Sequence, residues 1–406
     1  MTISDPGLAE RFDLADLSAS FYDDPYPMYA SLREHAPMKR LPGGALVLTR
    51  YADVAAVYRD TAAFSSDKRA EFGPKYGATP LFEHHTTSLV FNDPPLHSRV
   101  RRLIAGALTP RAIALMQPGL EALVDRLLDG LAAMGEVDLI EDFASAIPVE
   151  VIGNLLGVPV GERGPLRGWS LEILGALEPV VTVEAGAAGN AAVTAFCGYL
   201  ETLVARRRAA PGDAGDVLTR LIGSETDGER LTGPELLHNI IFLLNAGHET
   251  TTNLIGNGLV ALLEHPGERQ RLLDDPGLIR TAVEEVLRYE SSNQLGNRMV
   301  VREVALGGEV LMPGTPVTLC IGAANRDPAQ FEDPDRLDVG RAPNRHLAFG
   351  LGIHQCVGMS LARLEGAVAI GRFLARFPDY ALTGRPVRGG RVRFRGYSRV
   401  GCLVGG

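Results

Sequence analysis

The chain has 406 residues, 46% of them hydrophobic and 22% charged, a composition that supports a sizeable core and excludes a disordered protein. Its 40 lysines and arginines face 49 acidic residues, a formal charge of −9, so no global positive field favours nucleic acid as a partner. The N-terminal stretch carries Asp5, Glu10, Asp13 and Asp16, which leaves neither a secretory apolar segment nor a membrane anchor, and the expectation is a cytoplasmic protein.

In chain order, the first strand-like patch is Ala45-Leu46-Val47-Leu48. Leu120, Leu123, Val124, Leu127 and Leu128 then recur at spacings of three and four, the period of a helix with one buried face. The best linker candidate, Ala209-Ala210-Pro211-Gly212-Asp213-Ala214-Gly215, is only loop-sized, so residues 1–406 are expected to form a single domain. Thr232 with Glu235 three residues on reads as a capping box, and Pro234 falls in the permissive first turn. From there apolar positions run to about Leu263, which predicts a spine helix of about 45–50 Å. Pro316-Val317-Thr318-Leu319 and Arg391-Val392-Arg393-Phe394 close the series as short strands. The pattern predicts a mainly α fold with small β-sheets.

The four cysteines, Cys197, Cys320, Cys356 and Cys402, are far apart and form no CxxC pair, which argues against a disulfide framework or a zinc knuckle. Three read as small buried apolar residues. Cys356 differs, because residues 349–363 read Phe-Gly-Leu-Gly-Ile-His-Gln-Cys-Val-Gly-Met-Ser-Leu-Ala-Arg and lead into an apolar helical run. Gly350 and Gly352 suit a tight loop. That loop places Cys356 at a helix N-terminus, where the dipole and unpaired N–H groups are expected to favour a thiolate, a competent ligand for iron.

This segment resembles the cysteine-ligand loop of the cytochrome P-450 family, F-G-x-G-x-H-x-C-x-G followed by L-A-R, at every fixed position. The resemblance implies haem b held between the long central helix and the helix after Cys356, with Cys356 as the iron ligand and Phe349, Gly350, Gly352, His354 and Gly358 shaping the loop. Electron donation from the thiolate would favour O–O cleavage. Within the predicted spine, Asn245-Ala246-Gly247-His248-Glu249-Thr250-Thr251 is similar to the family's oxygen-activating A-G-x-E/D-T-T segment. A mid-helix threonine hydroxyl reaches the carbonyl four residues back, here Ala246, and is expected to bend the helix. Gly247 is expected to open a groove for dioxygen and water, with Glu249 and Thr250 as catalytic proton relay. Asn245 departs from the apolar residue expected there and is assigned to a polar group on the substrate.

Glu285 and Arg288 share a helix face and match the family's E-x-x-R element, with Arg341 completing a structural ion pair. Asp93-Pro94-Pro95-Leu96-His97-Ser98-Arg99-Val100-Arg101 resembles the D-P-P-x-H-x-x-x-R helix start, so His97 and Arg101 are expected to hold the haem propionates together with Arg298 and His354.

No dinucleotide fingerprint, flavin motif or iron–sulfur cysteine set appears in the sequence. The resemblance therefore implies electrons from a ferredoxin or flavodoxin with its reductase, docking on Arg99, Arg102 and Arg363, with NAD(P)H used only indirectly. It also implies a substrate pocket lined by residues 72–89, the Glu178-Pro179-Val180 loop, Leu243 to Ala246, Gln294 to Asn297 and Tyr397-Ser398, with Leu243, Asn245, Gln294, Leu295 and Ser398 as contacts. Such a lining suits a lipophilic small molecule. The expected reaction inserts one oxygen atom from O2 and reduces the other to water. A peroxide-driven peroxygenase and a non-catalytic haem sensor are the alternatives.

Overall fold

Thr232 Oγ1 accepts from the Glu235 N–H at 3.3 Å, and the Glu235 carboxylate accepts from the Thr232 N–H at 2.9 Å. This capping box starts a helix of 32 residues, Gly233–Glu264, about 48 Å long. The computed structural model describes residues 5–210, 217–223 and 230–405; of the expected loop at 209–215, residues 211–215 lie outside them.

The central helix is buried nearly all round because two cores share it. Leu236, Ile240, Ile241 and Leu244 of its first half pack with Phe196 and Leu200 of helix Val183–Ala209 and with Leu166 and Ile173 of helix Gly164–Gly175. In its second half, Ile255, Leu259, Val260 and Leu262 meet Leu120, Leu123 and Val124 of helix Pro110–Met134 and Phe373 of helix Met359–Arg376. The residues between the two cores are those that build the site.

Beside the helices a five-stranded sheet runs in the order Met38–Arg40, Leu46–Leu48, Pro316–Cys320, Leu295–Val300, Phe64–Ser65. Leu46–Leu48 pairs in parallel with residues 317–319, and the other pairings are antiparallel. Two of the three expected strands are therefore present. The third is not: of Arg391–Phe394, only Phe394 makes an isolated bridge, to Asn293. The alternation that suggests a strand there comes from three anchoring arginines. Arg391 binds Glu249, Arg393 binds Leu295 O and Arg395 binds Glu290, while the Glu178 carboxylate takes the backbone N–H groups of Val392 and Arg393.

Glu285 and Arg288 on helix Ile279–Tyr289 are both 0% exposed and pair at 2.8 Å through two parallel bonds. Arg341 Nε adds 3.1 Å bonds to both Glu285 oxygens, and the Asn344 amide and the Asp338 N–H also donate to that carboxylate. Arg288 also ties down the carbonyls of Asn325, Pro334 and Arg336. One guanidinium thus fixes the segment that leads into the cysteine loop. Among the described residues, no helix is long and apolar enough to cross a membrane.

Candidate active site

The cysteine loop is set by its glycines. Gly350 and Gly352 have φ of 65° and 73°, and a Cβ on Gly352 would stand 2.6 Å from the Tyr58 carbonyl oxygen, so no other residue fits there without moving backbone. The Cys356 N–H donates to Phe349 O at 2.8 Å, and Gly358 is the N-cap of helix Met359–Arg376. Cys356 is the exposed member of the four cysteines, yet the protein around its sulfur raises the thiol above its ordinary value, against the Gly358 N–H, Arg101 and Arg363. The Gly358 N–H and the two arginines favour the charged form, as expected of the helix start, and a bound cation would favour it further.

Between its two cores the central helix shows one accessible stripe: Phe242, Ala246, Gly247 and Thr250 are not buried, whereas Leu243, Leu244, Asn245, His248 and Glu249 are. Phe242 was missed at the sequence level, although it lies four residues before Ala246 and eight before Thr250, on the same face. Thr250 Oγ1 donates to Ala246 O at 2.6 Å as anticipated, and the helix runs on to Glu264. A Cβ on Gly247 would meet Ile152 Cδ1 at 2.2 Å, so a bare residue here also leaves room for a side chain of helix Ala146–Leu155.

Glu249 is buried and pairs with Arg391 Nη1 at 2.6 Å. Burial pushes its carboxyl up to about 7, with Arg391 opposing and Glu178 assisting. A carboxyl poised near neutrality can both give and take a proton at working pH. Arg391, which also donates to Leu171 O at 2.9 Å, was missed; an arginine in a strand-like alternation carries no local signal of a partner 142 residues away.

His97 and His354 pack with ring centroids 4.1 Å apart and planes tilted by 48°. Arg298 and Arg101 both act on each of these histidines and, with burial as the larger cause, hold His97 at about 4 and His354 at about 2. Arg298 lies over the Tyr58 ring at 5.1 Å. The four expected propionate partners are therefore brought together. Both nitrogens of His97 and Nε2 of His354 are buried with no partner, a state that buried polar atoms rarely keep without a ligand. Two arginines, two histidines with unpartnered ring nitrogens, an exposed cysteine on a glycine loop and a bare stripe on the central helix fit a haem with its propionates.

Three expected substrate contacts are corrected. Gln294 is 0% exposed, its amide donating to Ser291 O and its oxygen turned against Gly322. Leu295 is buried in a cluster with Phe12, Phe21 and Tyr29. Ser398 is exposed and its hydroxyl donates to Val387 O and Arg388 O across a hairpin. Strand alternation in the first case and hairpin pairing in the second turn these side chains elsewhere. Leu243 joins an apolar core, whereas Asn245 is buried with Oδ1 unpartnered. Of the basic docking residues, Arg363 is bound to Glu284 at 2.6 and 2.9 Å, Arg99 pairs with Glu235, and Arg102 is exposed.

Residues 277–379 match the family model described as Cytochrome P450. The chain is 41% identical over 387 residues to the vitamin D(3) 25-hydroxylase of Pseudonocardia autotrophica, covering 92% of this chain and 91% of that protein. The crystal structure of P450BioI in complex with a hexadec-9Z-enoic acid ligated acyl carrier protein matches with a TM-score of 0.90 at 34% identity, over 95% of this chain and 100% of that one. Myxobacterial CYP267B1 in complex with myristic acid matches with a TM-score of 0.87 at 35% identity, over 95% of this chain and 98% of that one. A family model on the cysteine-loop half and relatives along nearly the whole length agree with the geometry: the chain belongs to the cytochrome P450 family of haem-dependent monooxygenases.

Proposed function

We propose that residues 1–406 work as one cytoplasmic unit that hydroxylates or epoxidises a lipophilic small molecule, with Cys356 on the iron and Glu249 and Thr250 delivering protons. The observation that carries this reading is the joint placement of an exposed cysteine in the glycine loop and a Thr250 hydroxyl on the accessible stripe, next to a carboxyl poised at about 7. Haem iron, when bound, supplies the site that binds and reductively activates O2. His97, Arg101, Arg298 and His354 would hold the propionates, and Phe349, Gly350, Gly352 and Gly358 would shape the ligand loop. Ala246 and Gly247 would lie over the ring.

Glu249 would carry protons inward from the Arg391 side, and Thr250 would hold the receiving water by its hydroxyl. The relatives point to lipophilic substrates: one acts on vitamin D(3), and two structural neighbours hold an acyl chain. Electrons would come from a ferredoxin or flavodoxin reduced at the expense of NAD(P)H. Arg99, Arg102 and Arg363 would meet it. The buried Glu249 speaks against the peroxide-driven alternative, which requires no proton delivery to dioxygen.

Turnover of a lipophilic panel with a surrogate ferredoxin, its reductase and NADPH, against turnover with hydrogen peroxide alone, tests the reading. Product that requires the electron chain is expected. Faster product with peroxide alone would replace monooxygenase by peroxygenase, and no product under either regime would favour a sensor.

A further inference from the structure

Arg391 ties two helix faces together: its Nη1 binds Glu249 on the central helix at 2.6 Å, and its Nη2 donates to Leu171 O on helix Gly164–Gly175 at 2.9 Å. Residues three and four apart share a helix face. Asn245 therefore groups with His248 and Glu249 on one side, and Arg167 with Ser170 and Leu171 on the other. Arg167 is the charge that acts on His248, as facing patches require. Within the two patches Asn245 Oδ1, both ring nitrogens of His248, Ser170 Oγ and Arg167 Nε are buried with no partner. Asn245, His248 and Ser170 are only 3%, 3% and 1% exposed, so bulk water does not satisfy them.

Leaving that many buried polar atoms dry is costly. About two waters, each making about three bonds, would satisfy them. The set offers what water needs: the Asn245 oxygen accepts, the Arg167 N–H donates, and the Ser170 hydroxyl does either. Burial, with the Arg167 charge beside it, holds His248 down to about 4. Its ring is then neutral, with one nitrogen a donor and the other an acceptor, the form that passes a proton across itself. The patch has an outer end, because Arg167 Nη1 binds Glu141, whose side chain is 62% exposed. Its inner end is Glu249, the residue after His248.

We propose that ordered water between His248 and Ser170 feeds protons to Glu249 from the Arg167–Glu141 edge, with His248 as the relay. The inference rests on the reading of Glu249 as the proton donor to the oxygen site. In one transfer, water gives a proton to the acceptor nitrogen of His248 while the donor nitrogen releases its own toward Glu249 through the next water. The ring ends neutral, Glu249 regains the proton it has passed on, and bulk water makes up the loss. A crystal structure of the haem-loaded full-length protein should show water within hydrogen-bond distance of a His248 nitrogen and of Ser170 Oγ. With a surrogate ferredoxin, its reductase and NADPH, His248→Phe should lower product per NADPH by about tenfold, less than the roughly 10²-fold scale of losing the acid itself. The missing electrons should leave as hydrogen peroxide, and the ratio of rates in H2O and D2O should rise. His248→Gln still holds water and should keep about half of the wild-type yield. Ser170→Ala, a small change on the facing helix, should cost about threefold, the scale of one hydrogen bond. The reduced, carbon-monoxide-bound spectrum of every variant should match the wild type. A dry gap in the crystal, or wild-type yield and isotope ratio in both His248→Phe and Ser170→Ala, would overturn the route and leave Glu249 as proton donor. Wild-type yield in Glu249→Gln would overturn that reading, and the route with it.

Discussion

Arg288 and Arg393 are arginines drawn in toward the same site, and they are used in opposite ways. Arg288 makes five bonds, two to Glu285 and three to backbone carbonyls, so every N–H is satisfied and the segment behind the cysteine loop has one geometry. Arg393 binds three neutral oxygens, and His85 and the Asn245 oxygen, also buried, have no partner. A saturated network fixes a scaffold, whereas an unsaturated one keeps capacity for a ligand. The two sides of the site divide the work in that way.

Removing a member of the saturated side should have the largest effect. Glu285→Gln leaves Arg288 buried without its counter-charge, and a loss of roughly 3–5 kcal/mol is expected, read as a lower unfolding midpoint with haem released at the same temperature. An unchanged midpoint would mean the network is not what holds that side.

On the unsaturated side, Glu249→Gln should lower product formation by about 10²-fold, the scale of general acid catalysis, with substrate-induced haem shifts retained. Because the Glu249 carboxyl is pushed up to about 7, its protonated fraction falls as pH rises, so wild-type turnover should lose rate through a limb near pH 7. Arg391 opposes that rise, so Arg391→Gln should move the limb to higher pH. A limb that stays in place would separate Arg391 from the relay.

The smallest effect lies at Glu365, on the helix after Cys356, which is buried with Oε1 unpartnered and pushed up to about 8 by desolvation. The folded form keeps a proton that the unfolded chain loses above its ordinary value of 4.5. Stability therefore falls as pH rises from that value through about 8. Glu365→Gln should flatten this dependence and gain about 1–3 kcal/mol at the alkaline end. Equal slopes in both proteins would show that Glu365 is relaxed by water.

The contrast also explains what the sequence disclosed. Residues that act within one turn or loop were legible: the capping box at Thr232, the positive-φ glycines 350 and 352, the Thr250 bond to Ala246, the Glu285–Arg288 pair and the helix start carrying His97 and Arg101. Their partners lie a few residues away, or the loop geometry itself demands them. The distal lining is assembled from segments far apart in the chain. Arg391 and Arg393 looked like a strand because their anchors, Glu249, Leu177 and Asn297, are invisible to local periodicity. Gln294 and Leu295 were placed in the pocket by the family resemblance, and burial against Gly322 and Phe21 removed them.

The central claim is that Cys356 binds haem iron as a thiolate. The reduced, carbon-monoxide-bound difference spectrum of the purified protein tests it most directly. A strongly red-shifted haem band that Cys356→His abolishes is the predicted result; a band typical of histidine ligation in the wild type, or no haem at all, would contradict the account.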